Sequence, residues 1–318
     1  MFDRPLFAPA TTDVDLTNVT GNPQVDRPVY RFSERRAVNA VNVAMAVGRP
    51  LLVTGPPGSG KSSLARGVAA ELGWVYLEHV FTSRTELADL TCGADLVRRL
   101  ADAQVQRLGP DWAYLRPGVL WWAFDAESAV RRGHGGGIDP GVGLSDPRQG
   151  VSGDVHHTVV LLDEIDKADP DLPNDLLEPL DQRAFTAFGD VRVTARNEVL
   201  VVITSNGERR LPPAFVRRCV HLHLAPDSTE FFVSVARAHF GVRSDALYEE
   251  VAAVFHRLRR AATRLGRRVP STAEYVDTVR ACLRLGVRPG EPAWLSIMEA
   301  ALWKDPQLPE EASHDLLG

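Results

Sequence analysis

The sequence predicts an α/β protein, a parallel sheet that carries a phosphate site and is followed by a small all-helical domain. Three observations carry this prediction. Gly55-Pro56-Pro57-Gly58-Ser59-Gly60-Lys61-Ser62 fits the pattern G-x-x-x-x-G-K-[ST] at every constrained position. Thr158-Val159-Val160-Leu161-Leu162 is an uninterrupted apolar run ending in Asp163-Glu164, as a central parallel strand delivering carboxylates to its C-terminal edge should read. From Asp227 onward the apolar residues recur with a helical period.

The elements follow in order. Residues 1–32 are polar, with proline and threonine, and read as an arm or strap. Ser33 is placed to cap a helix running through Val47 and stopped by Gly48; that helix could lie beside an adenine base or simply pack in the core. Leu51 to Thr54 is a buried strand leading into the glycine loop. Leu64, Val68 and Leu72 then mark a helix that Gly73 ends. Trp74 to Phe81 reads as the next strand, and Arg84 to Leu108 as helical through Leu96, Val97, Leu100 and Val105. Leu115 to Gly118 is a turn, and Val119 to Val130 a buried helix in which Trp121 and Trp122 belong to the core. The glycine-rich stretch 133–153 reads as an exposed or disordered loop, and His134, His156 and His157 as solvated loop residues.

After the acid-ended strand, Asp171 to Asp181 reads as a helix and Ala184 to Arg196 as a hairpin around Gly189-Asp190. Glu198 to Asn206 is another buried strand, and Val220 to Leu224 the last one, with His221 and His223 on one face. Helices are expected over Phe231–Phe240, over Ala246–Leu265, from a cap at Ser271 or Thr272 to near Leu285, and over Pro292–Trp303. The resulting division is an arm (1–32), an α/β nucleotide-binding domain (33–226), a helical lid (227–303) and a polar tail (304–318).

Composition narrows the function classes. The chain has 318 residues, 44% hydrophobic and 24% charged, and a net charge of 36 − 41 = −5. Its isoelectric point near 6.0 gives no global basic field to draw it to nucleic acid or anionic lipid. Three scattered cysteines, Cys92, Cys219 and Cys282, form neither a metal-ligand spacing nor a disulfide framework. There is no membrane-length apolar run and no signal-peptide pattern, so the expected location is cytoplasmic.

The chemistry follows from the residue types. Gly55, Pro56, Pro57, Gly58, Ser59 and Gly60 bend the backbone so that its N–H groups converge on phosphate oxygens at a helix N-terminus. Lys61 would reach the β- and γ-phosphates of ATP, and the Ser62 hydroxyl would ligate Mg²⁺. Asp163 would hold the same ion, directly or through water, while Glu164 would orient and polarise the attacking water. Asn206 could hydrogen-bond the γ-phosphate or that water, although an asparagine at a strand end is usually a turn residue. Arg217 and Arg218, read alone, are a solvated turn or pair with surface acids.

Taken together, the glycine loop, the strand ending Asp163-Glu164, the strand ending Asn206 and the arginine pair before the last strand resemble an AAA+ ATPase over residues 33–303. Arg116-Pro117-Gly118-Val119-Leu120, Asp163-Glu164-Ile165-Asp166-Lys167-Ala168 and Leu211-Pro212-Pro213-Ala214-Phe215 look like the MoxR-type branch. The resemblance implies a five-stranded parallel sheet, an insertion after the second strand within Arg84–Leu115, and a hairpin before the sensor strand. It also implies homo-oligomeric rings, usually hexamers, with ATP between subunits. Asn206 takes the sensor 1 position and Arg218 that of the arginine finger, with Arg217 as accessory or substitute. The sensor 2 arginine has no counterpart in Val269-Pro270-Ser271-Thr272-Ala273-Glu274; either nucleotide closure is reported otherwise or Arg267 or Arg268 reaches in from just upstream, although the arginine run from Arg257 to Arg268 is most simply a solvated helix face. The implied activity is Mg²⁺-dependent ATP hydrolysis that remodels or activates a protein client. For that client the resemblance points to a von Willebrand factor A domain protein, in chaperone work or in a prokaryotic conflict system. Two rivals are a nucleotide-gated assembly switch with slow turnover, and a GTP-using or nucleic-acid-associated restriction-type motor. The acidic balance argues against the latter.

Overall fold

The computed structural model describes residues 5–10, 13–15, 29–32, 35–134, 144, 146–148, 154–187, 191–225, 228–242 and 244–303. Its centre is a five-stranded, wholly parallel sheet. The strands are β3 (Leu51–Thr54), β4 (Trp74–Val80), β7 (Asp154–Asp163), β10 (Val199–Ser205) and β11 (Val220–His223). Their spatial order is β11-β3-β10-β7-β4. Val202 lies opposite both Leu51 and Leu161, which fixes the register of the three inner strands.

Because successive strand residues face opposite ways, the apolar runs supply two cores at once. Leu52, Val160, Leu162 and Ile203 face one layer with Trp121, Phe124 and Phe185. Leu51, Val53, Val159, Leu161 and Val202 face the other, covered by α1 (Arg35–Val47) and α2 (Lys61–Leu72). Gly73 ends α2 in the left-handed conformation at φ 65°, where a side chain would be strained. The expected cap of α1, Ser33, lies outside the described residues.

The N-terminal arm takes part in the second core. Phe7 is fully buried there, and β1 (Asp13–Asp15) pairs antiparallel with β2 (Val29–Arg31). Asn42 of α1 ties the arm down: its Oδ1 accepts the Phe7 N–H at 2.8 Å, and its Nδ2 donates to the carbonyls of Phe7 at 2.6 Å and Val38 at 2.9 Å.

The structure corrects the reading of 84–130. The expected long helix is broken into α3 (Leu87–Leu90), β5 (Cys92–Ala94) and α4 (Leu96–Gln104). The expected turn at 115–118 is a strand, β6 (Leu115–Pro117), paired with β5. The ribbon is a sheet of its own whose Leu115 reaches the first core, while α4 leaves Leu96, Val97, Leu100 and Val105 exposed. The helix expected over 119–130 is divided at Asp125 into α5 (Val119–Phe124) and α6 (Ala126–Val130), because the Asp125 side chain caps the second by accepting the Ser128 N–H. Trp121 and Trp122 are core, as expected. His134 stacks on Trp112, and His156 and His157 lie in β7 rather than in a loop. Most of 133–153 and all of 304–318 lie outside the described residues.

Beyond β7 come α7 (Leu172–Asp175) and α8 (Leu177–Gln182), then the hairpin of β8 (Ala184–Thr186) and β9 (Arg192–Thr194). The short helix α9 (Pro213–Val216) precedes β11. The C-terminal helices are α10 (Thr229–Phe240), α11 (Asp245–Arg264), α12 (Thr272–Leu285) and α13 (Pro292–Met298), the last followed by a π-helical turn through Trp303. They enclose their own core around Phe232, Tyr248, Phe255, Tyr275 and Met298. Among the described residues no helix is long and apolar enough to cross a membrane.

Replacing Asn42 by alanine strips two main-chain groups of Phe7 of their partners in a buried place, at about 1–3 kcal/mol each when unsatisfied. Asn42→Ala is therefore expected to lower the denaturant midpoint clearly and to expose the 7–15 region to limited proteolysis. An unchanged midpoint would show that the arm is not anchored there.

Candidate nucleotide site

Parallel strands end on the same edge of a sheet, so the polar residues that close β3, β7 and β10 meet there. Ser205 lies opposite Thr54, and Thr204 opposite Val53, which brings the end of β10 beside the start of the glycine loop. The loop depends on two close approaches. Gly55, at φ 152°, passes so near β11 that a Cβ would stand 2.1 Å from the Leu224 carbonyl oxygen. Gly58, at φ 72°, touches the helical region: a Cβ would lie 2.3 Å from that of Ser271. Neither position admits a side chain.

Lys61 opens α2 and is only 6% exposed. Its Nζ donates to the carbonyls of Gly55 and Pro56, each at 2.9 Å. Burial pulls its ammonium below the ordinary lysine range, against the opposing pull of Asp163, Asp166 and Glu164. Ser62 Oγ lies 2.9 Å from each carboxylate oxygen of Asp163. A hydroxyl and a carboxylate side by side are hard oxygen donors of the kind that Mg²⁺ takes together with phosphate oxygens and water.

Sequence reasoning missed two residues at the centre of this arrangement. Thr204, fully buried in β10, donates its hydroxyl proton to Asp163 Oδ1 and accepts the main-chain N–H of Glu164 at 2.9 Å. It is thus the crosspiece between the two acids. Glu164 needs such support because it sits in the left-handed region at φ 62°, which is unfavourable for a residue with a Cβ. Asp166, 4% exposed, accepts the N–H groups of Asn206 at 3.3 Å and Glu208 at 2.9 Å, and so fixes the loop after β10. The available signals were a threonine inside an apolar run and a third acid two residues beyond the pair.

Asn206 joins the group, its Nδ2 donating to Glu164 Oε1 at 3.1 Å. Arg217 and Arg218 do not. Both are exposed, and Arg218 pairs with Asp181 and donates to the Ala214 carbonyl. The candidate substitute Arg268 pairs with Glu274 at 2.9 Å. Glu274 also forms a capping box with Ser271, accepting from the Ser271 N–H at 2.8 Å. At Gly58, where an arginine was sought, stand Ser271 and the N–H of Thr272 instead.

A glycine loop leading from a buried strand into a helix, a five-stranded parallel sheet around it, and a helical C-terminal region together place the chain among the AAA+ ATPases. Residues 50–219, more than half of the chain, match the AAA domain of the dynein-related subfamily, and the chain belongs to that family. It is 30% identical over 187 residues to a ClpA homolog protein of Fuscovulum blasticum, covering 55% of this chain and 18% of that protein. It is 28% identical over 195 residues to the chaperone protein ClpB of Lactococcus lactis subsp. cremoris, covering 60% of this chain and again 18% of the relative. The chain thus corresponds to under a fifth of the length of these relatives.

Thr204→Val keeps the shape but removes the crosspiece. It is expected to lower stability by about 1–3 kcal/mol, the usual effect of a buried polar group left unpaired, while Thr204→Ser stays near the parent. Equilibrium urea unfolding checks this.

Proposed function

We propose that this chain is a Mg²⁺-dependent, MoxR-type ATPase that hydrolyses ATP to ADP and phosphate and uses the cycle to remodel or activate a protein partner. The observation that carries the reading is the continuous chain of hydrogen bonds that joins Ser62, Asp163, Thr204, Glu164 and Asn206 at one sheet edge, beside Lys61 at the start of α2. In this reading the loop N–H groups and Lys61 take the triphosphate, Lys61 exchanging the carbonyls of Gly55 and Pro56 for phosphate oxygens. Ser62 and Asp163 would hold Mg²⁺, which would supply positive charge beside the phosphates. Glu164 polarises the water, and Asn206 keeps water and carboxylate aligned.

The chemistry also asks for positive charge at the γ-phosphoryl group in the transition state. No arginine of the same subunit joins the described cluster at the phosphate loop, and Arg218 is exposed and lightly held. This favours a homo-oligomer, a hexameric ring in the MoxR reading, in which Arg218, assisted by Arg217, serves the neighbour's nucleotide. The names of the relatives support a chaperone role, and the MoxR-type motifs support a von Willebrand factor A domain partner.

Lys61→Ala is expected to abolish nucleotide binding in calorimetry. Glu164→Gln is expected to keep binding while losing about 10²-fold or more in turnover; parental turnover in that variant would remove Glu164 from the role of base.

Arg218→Ala is expected to lose about 10³-fold or more in turnover alone and to regain part of it when mixed with Lys61→Ala subunits, each lending what the other lacks. Mixed rings shown by native mass to form, yet remaining inactive, would refute the shared site.

A further inference from the structure

Both oxygens of Glu164 are engaged. Oε1 accepts from Asn206 at 3.1 Å, and Oε2 accepts from the Lys167 ammonium at 2.7 Å. The second contact is built by the backbone. The left-handed turn at Glu164 starts a single 3₁₀ turn over Ile165–Lys167, closed by the Lys167 N–H donating to the Glu164 carbonyl at 2.9 Å. In a 3₁₀ turn residues i and i+3 eclipse, so the lysine side chain returns onto the glutamate that precedes it. An ammonium on that oxygen neutralises the negative charge a water molecule would otherwise meet.

The pair is also easy to part. The Lys167 side chain is 44% exposed, so it can swing away without opening the core.

We propose that Lys167 is a positioning residue that restrains Glu164: paired, it keeps the carboxylate from polarising water, and its departure into solvent releases the carboxylate for hydrolysis. The inference rests on the hydrolytic reading of Glu164 given above. Its opposite, that Lys167 holds Glu164 in the productive orientation, predicts the reverse sign for each variant.

The test measures steady-state and single-turnover ATP hydrolysis by the full chain with Mg²⁺, together with nucleotide affinity. Lys167→Gln is expected to raise kcat roughly two- to fivefold with KM and affinity unchanged, the factor appropriate to a partly exposed ion pair. Lys167→Arg, which keeps a cation in place, is expected to restore the restraint. In a Glu164→Gln background Lys167→Gln is expected to change nothing, because its effect passes through that carboxylate. A fall or no change in kcat for Lys167→Gln would overturn the restraint. A parental protein that binds ATP but hydrolyses none in any oligomeric state would instead sink the hydrolytic reading itself.

Discussion

The site depends on the register between β10 and its two parallel neighbours. With Val202 opposite both Leu51 and Leu161, the glycine loop, the acids and the amide all emerge at one level of one edge. A slip of one residue would turn every side chain of β10 to the other face. Thr204 would then leave both acids, and the two apolar cores would each receive the residues meant for the other. The same pairing therefore sets the packing and the chemistry. The apolar side chains on both faces of β10 hold the register far more firmly than any polar contact in the site could.

The contact at Gly58 extends this constraint to the C-terminal helices. Ser271 caps α12 and at the same time rests on the phosphate loop, so the capping box and the loop share a residue. In the proposed function, phosphate taken up by the loop would press on, or release, the first turn of α12. That turn is held by its own bonds, since Glu274 accepts from Ser271 and pairs with Arg268. A displacement there would pass to α12 as a body, which would give the proposed cycle a route to the helical region without a sensor 2 arginine.

The central sheet and its motifs were legible in the sequence because they rest on short-range rules. Buried parallel strands read as unbroken apolar runs, and the glycine pattern from Gly55 to Ser62 is constrained by backbone geometry alone. The stretch 84–130 was not legible, and the reason is physical. Leu96, Val97, Leu100 and Val105 have the spacing of a buried helix face, yet nothing among the described residues covers them and they are exposed. Periodicity reports which residues share a face, not whether anything covers it. Asp125 divides a helix because its carboxylate caps the next one, a choice invisible while both halves look apolar. Thr204 was passed over because a hydroxyl in an apolar strand is ordinary; its importance appears only when β7 is laid beside it.

Burial sorts the polar contacts of the site into two kinds. Thr204 and Asp166 are enclosed, and each serves two partners that would be left unsatisfied without it. Such contacts hold one geometry. Lys167 with Glu164 and Arg218 with Asp181 are ion pairs whose side chains are between 29% and 46% exposed. Pairs of that kind are worth about 1 kcal/mol or less and exchange readily. Glu164 and Arg218 are thus held by exchangeable partners, while Thr204 and Asp166, which hold the frame, are not. The proposed function would use this division: the frame would stay unchanged through a cycle, while the two charges assigned to the γ-phosphate would be able to leave one partner for another.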